Sequence, residues 1–162
     1  MSNTIFLDMT AIASTVIKHP TDVVWPHLLD QAAWMKDFKA VETIGGHPRQ
    51  EGELKKVTPF SAEYEPFFFR TLLVVPFRRL VHKAYTENRS GKYAFTGIEV
   101  LSLDDLGRDS TVVFEAYLEF QSWTMTREQL ADYVSAAREG SKVLWERNFQ
   151  RLASVISAAR TV

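Results

Sequence analysis

The feature that most constrains this chain is segregation of its patterns. From Val41 to Trp123 the text is strand and turn, and from Thr126 onward a single helical period takes over. Thr126-Arg127-Glu128-Gln129 fits a capping box, with Thr126 at the N-cap and Gln129 reaching back. Apolar or small residues then recur at Leu130, Val134, Ala137, Ser141, Leu144, Leu152, Val155 and Ala159, spaced by three and four except across Asn148. A straight helix over 127–159 would be about 50 Å long, more than a domain of this size usually spans, so a kink or break is expected at Gly140.

The strands before it are bounded by recognisable punctuation. Thr10–Lys18 reads as a first strand, broken by His19-Pro20. Thr21 is the expected N-cap of a short helix Asp22–Leu29, and a second short helix, Gln31–Phe38, places Trp34 and Phe38 on one face. Val41–Ile44, Gly52–Val57, Phe67–Val75, Arg79–Glu87, Tyr93–Leu103 and Ser110–Phe120 follow as strands, with tight turns at Pro76-Phe77, Ser90-Gly91 and Leu106-Gly107. Strands and helices kept apart in this way indicate an α+β fold with an antiparallel meander. No repeat, low-complexity tract or linker divides the chain, so residues 1–162 are expected to form a single domain.

Composition excludes several functions. Nineteen basic residues against twenty acidic ones leave a net charge of −1, without the basic excess of a nucleic-acid binder. With no cysteine, disulfides, thiolate metal sites and cysteine nucleophiles are out. The four histidines show no metal-ligand spacing, and there is no nucleophile elbow, Walker loop or dinucleotide fingerprint, so no cofactor or metal is expected. The apolar runs fall well short of the roughly 20 residues of a spanning helix, and the N-terminus lacks a basic signal-peptide region, so the expected location is the cytoplasm. Aromatic residues make up 12% of the chain, large side chains suited to lining a core or an apolar pocket.

The run Ile17-Lys18-His19-Pro20-Thr21-Asp22-Val23-Val24-Trp25, with Leu29-Asp30 and Trp34 beyond it, resembles the N-terminal signature of the SRPBCC or START-like superfamily. Val75-Pro76-Phe77-Arg78-Arg79-Leu80-Val81 looks like that family's segment between middle strands, and Asn148-Phe149-Gln150-Arg151-Leu152 sits where its terminal helix reads similarly. The likeness covers the whole chain in element order, with short, degenerate motifs. It implies a helix-grip fold: a curved seven-stranded antiparallel sheet around a long C-terminal helix, two short helices between strands 1 and 2, and a hydrophobic cavity. The nearest branch in flavour is the polyketide cyclase/dehydrase and lipid-transport type. Gly45–Gly52 replaces the three-glycine loop of the pollen-allergen branch, so phosphate binding there is not implied.

Turn positions set strand register, and register decides which residues share a face. A two-residue turn at Leu106-Gly107 puts Glu99 opposite Phe114 and Leu101 opposite Val112; the other turns put His82 opposite both Glu99 and Thr71. The inward surface then carries Phe69, Thr71, Leu73, Leu80, His82, Ala84, Phe95, Glu99, Leu101, Phe114, Ala116 and Leu118. Its polar cluster is His82, Glu99 and Thr71, in which an imidazolium at His82 would partner a buried Glu99. The alternative is a bulge at Gly97 that turns Glu99 outward. From the helix, Tyr133, Ser141, Leu144, Trp145, Asn148 and Phe149 face the sheet or its mouth, and the small Gly140 and Ser141 would leave volume unfilled.

Three functions fit. The first is binding of a hydrophobic small molecule (lipid, isoprenoid or polyketide-like), with candidate ligand residues Phe69, Thr71, His82, Phe95, Glu99, Phe114, Leu118, Tyr133, Leu144 and Asn148. The second is a polyketide aromatase/cyclase-type enzyme, which needs an ionisable pair in a deep cavity. The third is a protein-interaction module, which predicts a filled core and an exposed apolar patch at Trp25 and Trp34.

Overall fold

The computed structural model describes residues 4–62, 64–87 and 92–161. In chain order the elements are β1 (Ile5–Ile17), α1 (Thr21–Leu29), α2 (Gln31–Trp34), β2 (Ala40–Gly45), β3 (Leu54–Thr58), β4 (Phe67–Val75), β5 (Arg79–Thr86), β6 (Ala94–Asp105), β7 (Ser110–Ser122) and α3 (Arg127–Ala159). All seven strands form one antiparallel sheet in the order β1-β7-β6-β5-β4-β3-β2. The sheet curves around α3, and this is the helix-grip fold.

Alternation of side chains drives the sheet. β7 buries Val112, Phe114, Ala116, Leu118 and Phe120 on one face and leaves Tyr117 and Glu119 on the other. β1 pairs with it along its whole length and buries Met9, Ala11, Ala13 and Ile17. This strand starts at Ile5, five residues before the expected start at Thr10, because Ile5 and Leu7 continue the same alternation against Ser122 and Phe120.

Several local expectations are corrected. Thr21 is the first helical residue and not a cap; Pro20 holds the N-cap position without a side-chain bond. α2 ends at Trp34, so Phe38 lies beyond the helix, and the Trp34 indole N–H donates to the His27 carbonyl at 2.9 Å. The connection between β6 and β7 has four residues, Leu106–Asp109, closed by the Asp105–Ser110 pair. Glu99 therefore pairs with Ala116, and Leu101 with Phe114, two residues from the expected register. A slip of two preserves parity, so every face survives. A bulge in β4 at Leu72 does change a face: Val74, not Leu73, pairs with Leu80, and Leu73 is 42% exposed. The turn expected at Ser90-Gly91 lies outside the described residues.

α3 is a single unbroken helix of 33 residues, without the break expected at Gly140. Its capping box is complete: the Gln129 N–H donates to Thr126 Oγ1 at 3.2 Å and the Thr126 N–H to Gln129 Oε1 at 2.8 Å. A helix this long is held at both ends. Leu130 and Val134 are buried near its start, and Trp145, Asn148, Phe149, Leu152 and Ile156 toward its end. Arg151 grips Asp37 with both guanidinium nitrogens, at 2.6 and 3.1 Å, and Arg147 adds a third contact at 3.2 Å.

Candidate functional site

Between Val134 and Trp145 the helix has no fully buried residue, because the positions turned toward the sheet are Ala137, Gly140, Ser141 and Leu144. Three of these are too small to reach the strands. The gap they leave is a cavity of about 450 Å³, within the range of small-molecule sites. Phe67 and Phe69 of β4, Phe95 and Glu99 of β6, and Leu118 and Phe120 of β7 form its sheet side, with Met9 of β1. Met35, Asp37 and Phe38 after α2 and Pro59, Phe60, Ser61, Tyr64 and Glu65 before β4 line the rest. A larger hollow of about 630 Å³ lies at the Pro76–Arg78 turn against Ser102, Leu103 and Asp104, where most of the lining side chains are polar or exposed.

Six of the ten candidate ligand residues line this cavity: Phe69, Phe95, Glu99, Leu118, Tyr133 and Leu144. Phe114 does not, because the Trp145 indole stacks on it at 4.0 Å and takes its place on the wall. Thr71 and His82 are buried beyond Phe69, whose ring stacks on the His82 imidazole at 5.3 Å. Asn148 is fully buried one turn past Trp145, its Oδ1 accepting from Arg151 at 3.3 Å. The residues that sequence reasoning passed over are chiefly Phe60, Tyr64 and Glu65 of the β3–β4 connection, which no periodicity marks, whereas Trp145, expected to face the sheet or its mouth, does line the cavity.

Glu99 is the chemical centre of the cavity. The β5–β6–β7 ladder runs through Gly97 without a bulge, so Glu99 stays on the inner face. Gly97 is required there: a Cβ would collide with the Tyr117 carbonyl oxygen and the Leu118 Cα of β7. Part of the Glu99 surface is accessible, and the residue lines the cavity. The carboxyl has neither a hydrogen-bond nor an ion-pair partner among the described residues. Burial pushes it up to about 8, so it is protonated near neutral pH.

His82 is its cross-strand neighbour, as expected, but the ion pair is absent. The imidazole is 2% exposed with its Nε2 unpartnered, and burial, helped by the positive charge of Lys55, holds it down to about 3. It is neutral and cannot serve as counter-ion. Lys55 belongs to a separate buried group: its Nζ donates to Gln31 Oε1 at 3.0 Å and lies 3.4 Å from Glu53, which also accepts from Thr43 and the Arg49 N–H. Burial lowers Lys55 against the opposing pull of Glu53.

At the mouth, the rings of Tyr93 and Tyr133 lie 4.6 Å apart. Burial raises both phenols, so both are neutral donors and acceptors. Among the described residues no cluster of His, Asp or Glu could hold a metal ion, and no helix is long and apolar enough to cross a membrane.

Solved structures share this architecture. A conserved protein from Geobacillus kaustophilus matches over 93% of this chain and 97% of its own at 14% identity, with a TM-score of 0.67. A putative uncharacterized protein from Rhizobium leguminosarum matches over 96% and 99% at 10% identity, TM-score 0.69. Truncated norcoclaurine synthase from Thalictrum flavum matches over 93% and 94% at 12% identity, TM-score 0.62. No protein-family profile and no curated protein sequence matches the chain. At these identities the likeness establishes a shared fold, one found in an enzyme as well as in conserved proteins.

Proposed function

We propose that the protein binds a hydrophobic small molecule in the cavity between its sheet and α3. The observation that carries this reading is the row Ala137, Gly140, Ser141, which holds about 450 Å³ open in a fold long enough to fill it. Affinity comes from burying ligand surface against aromatic and aliphatic walls, at about 25 cal/mol per Å² of apolar area. The fold supports it too: norcoclaurine synthase, of the same fold, has been solved in complex with dopamine and hydroxybenzaldehyde. Lipid, isoprenoid and polyketide-like ligands all satisfy these requirements.

Titration with the neutral dye N-phenyl-1-naphthylamine tests this. Wild type is expected to bind it with enhanced fluorescence, and Ser141→Phe or Ala137→Leu, which fill the gap, to lose that binding while keeping a cooperative thermal transition. Absence of binding to wild type, or undiminished binding to both filled variants, refutes the proposal.

A second reading is favoured by Glu99. A protonated carboxyl facing an apolar cavity is a positioned general acid, as a cyclase or dehydratase acting on a polyketide-like chain requires. The interaction-module reading loses its main support, since Trp34 is fully buried and Trp25 nearly so, and the core is hollow.

A further inference from the structure

The electrostatics of the cavity narrow the ligand class. Ten of its lining side chains are aromatic, and its charged or chargeable groups, tyrosines aside, are three carboxyls: Asp37, Glu65 and Glu99. No described Lys, Arg or His lines it. Asp37 is already neutralised by Arg151 and Arg147 from outside the wall. Glu99 lies on the sheet face and has no partner among the described residues.

Three kinds of ligand can be weighed against this lining. An anion meets carboxyls and the negative faces of aromatic rings with no base to receive it. A neutral acceptor uses the single proton of Glu99 and gains nothing from ring quadrupoles. A protonated amine donates to the Glu99 carboxylate and rests against ring faces that attract cations.

Resting on the cavity-binding reading above, we propose that the site selects an apolar or aromatic amine in its protonated form, with Glu99 as its counter-ion. The groups that face Glu99 from the surrounding elements do not compete for this role. His82 on β5 is neutral, and Lys55 on β3 is held by Gln31 and Glu53. Tyr133 on α3 and Tyr93 are neutral, while Asp37, Glu65 and Tyr64 stand elsewhere on the wall. Because the empty site holds Glu99 protonated up to about pH 8, capture of a cation expels that proton to solvent.

The test uses three matched probes: 2-(1-naphthyl)ethylamine, 2-(1-naphthyl)ethanol and 3-(1-naphthyl)propionate. By calorimetry at pH 7 the amine is expected to bind at least about tenfold tighter than the alcohol, a cation–π and ion-pair gain of about 1.4 kcal/mol, and the propionate weakest. Glu99→Gln is expected to remove the amine preference, so that amine and alcohol bind with similar affinity. In wild type, amine affinity should rise close to tenfold per pH unit from pH 6 to 7.5, with release of one proton per binding event, while alcohol affinity stays flat. Equal binding of amine and alcohol, or an amine affinity independent of pH, overturns the selectivity and leaves cavity binding standing. Failure of all three probes overturns both.

Discussion

Glu99→Gln should stabilise the protein, by an amount that grows with pH. The carboxyl titrates near its ordinary 4.5 in the unfolded chain and near 8 in the fold, with burial the cause. A raised carboxyl binds its proton more tightly when folded, so its contribution is fully present below pH 4.5 and is lost as pH rises toward 8. Each pH unit in that window costs about 1.4 kcal/mol, so at pH 7 the accumulated loss approaches ~3 kcal/mol. Opening of the carboxyl to cavity water reduces this, and we expect a gain of about 1–3 kcal/mol for Glu99→Gln at pH 7. The amide keeps the shape and removes the titration. Urea denaturation of both proteins at pH 4.5, 6, 7 and 8 measures the difference at each pH. The expected curve starts near zero at pH 4.5, climbs through pH 7 and levels off above 8. A difference independent of pH, or a wild type more stable than Glu99→Gln at pH 7, would show that the carboxyl has a partner and that its burial has been misjudged.

His82 imposes the opposite slope. Its cation is excluded from the fold down to about pH 3, so stability is full above 6.5 and falls by about 1.4 kcal/mol per unit as pH drops below it. His82→Phe keeps the ring stack on Phe69 and should flatten the denaturation midpoint between pH 6.5 and 4.5; an unchanged acid slope would place the sensitivity elsewhere. Gly140→Ala should stabilise the protein by about 1 kcal/mol, because α3 continues through Gly140 and a Cβ there meets nothing within 4 Å. A lower melting temperature for Gly140→Ala would mean that the helix is strained at that point. Gly97→Ala, which has no room against Tyr117 and Leu118, should prevent normal folding or lower the melting temperature sharply, and a neutral result would require the β6–β7 pairing to relax.

The parts of this structure legible in sequence are those governed by period and parity. The β6–β7 loop is two residues longer than its Leu106-Gly107 signal suggests, yet Glu99 still faces inward, because an even slip leaves faces untouched. A single extra residue at Leu72 moves Leu73 off the inner face, and nothing in the alternation of Phe67–Val75 announces it. Depth is illegible for a different reason. Phe114 and Trp145 are both apolar and both inward, and only their stacking decides that the indole meets the cavity and the phenyl does not. The charge states of the polar pair were hidden for a third reason. His82 and Glu99 are neighbours as register requires, but each ionises according to its burial, and His82 also feels Lys55, placed by the β3–β4 pairing.

What joins these observations is that the local rules fail together, and in one place. A helix of 33 residues turns Ala137, Gly140 and Ser141 toward the sheet where large apolar residues would pack, and a strand buries, on the same cavity, a carboxyl with no partner among the described residues. Each fault alone is destabilising: the empty volume forfeits packing, the helical glycine costs about 1 kcal/mol relative to alanine, and the carboxyl must hold its proton. Filled cores and paired charges surround them, at Leu152 and Ile156 on one side and at Asp37 with Arg151 on the other, so the chain has the means to avoid such faults. Faults that coincide on one concave surface indicate selection for what that surface holds. Ser141→Leu combined with Glu99→Gln should therefore produce a more stable protein that binds neither the neutral dye nor the amine, since the same two features set both stability and binding.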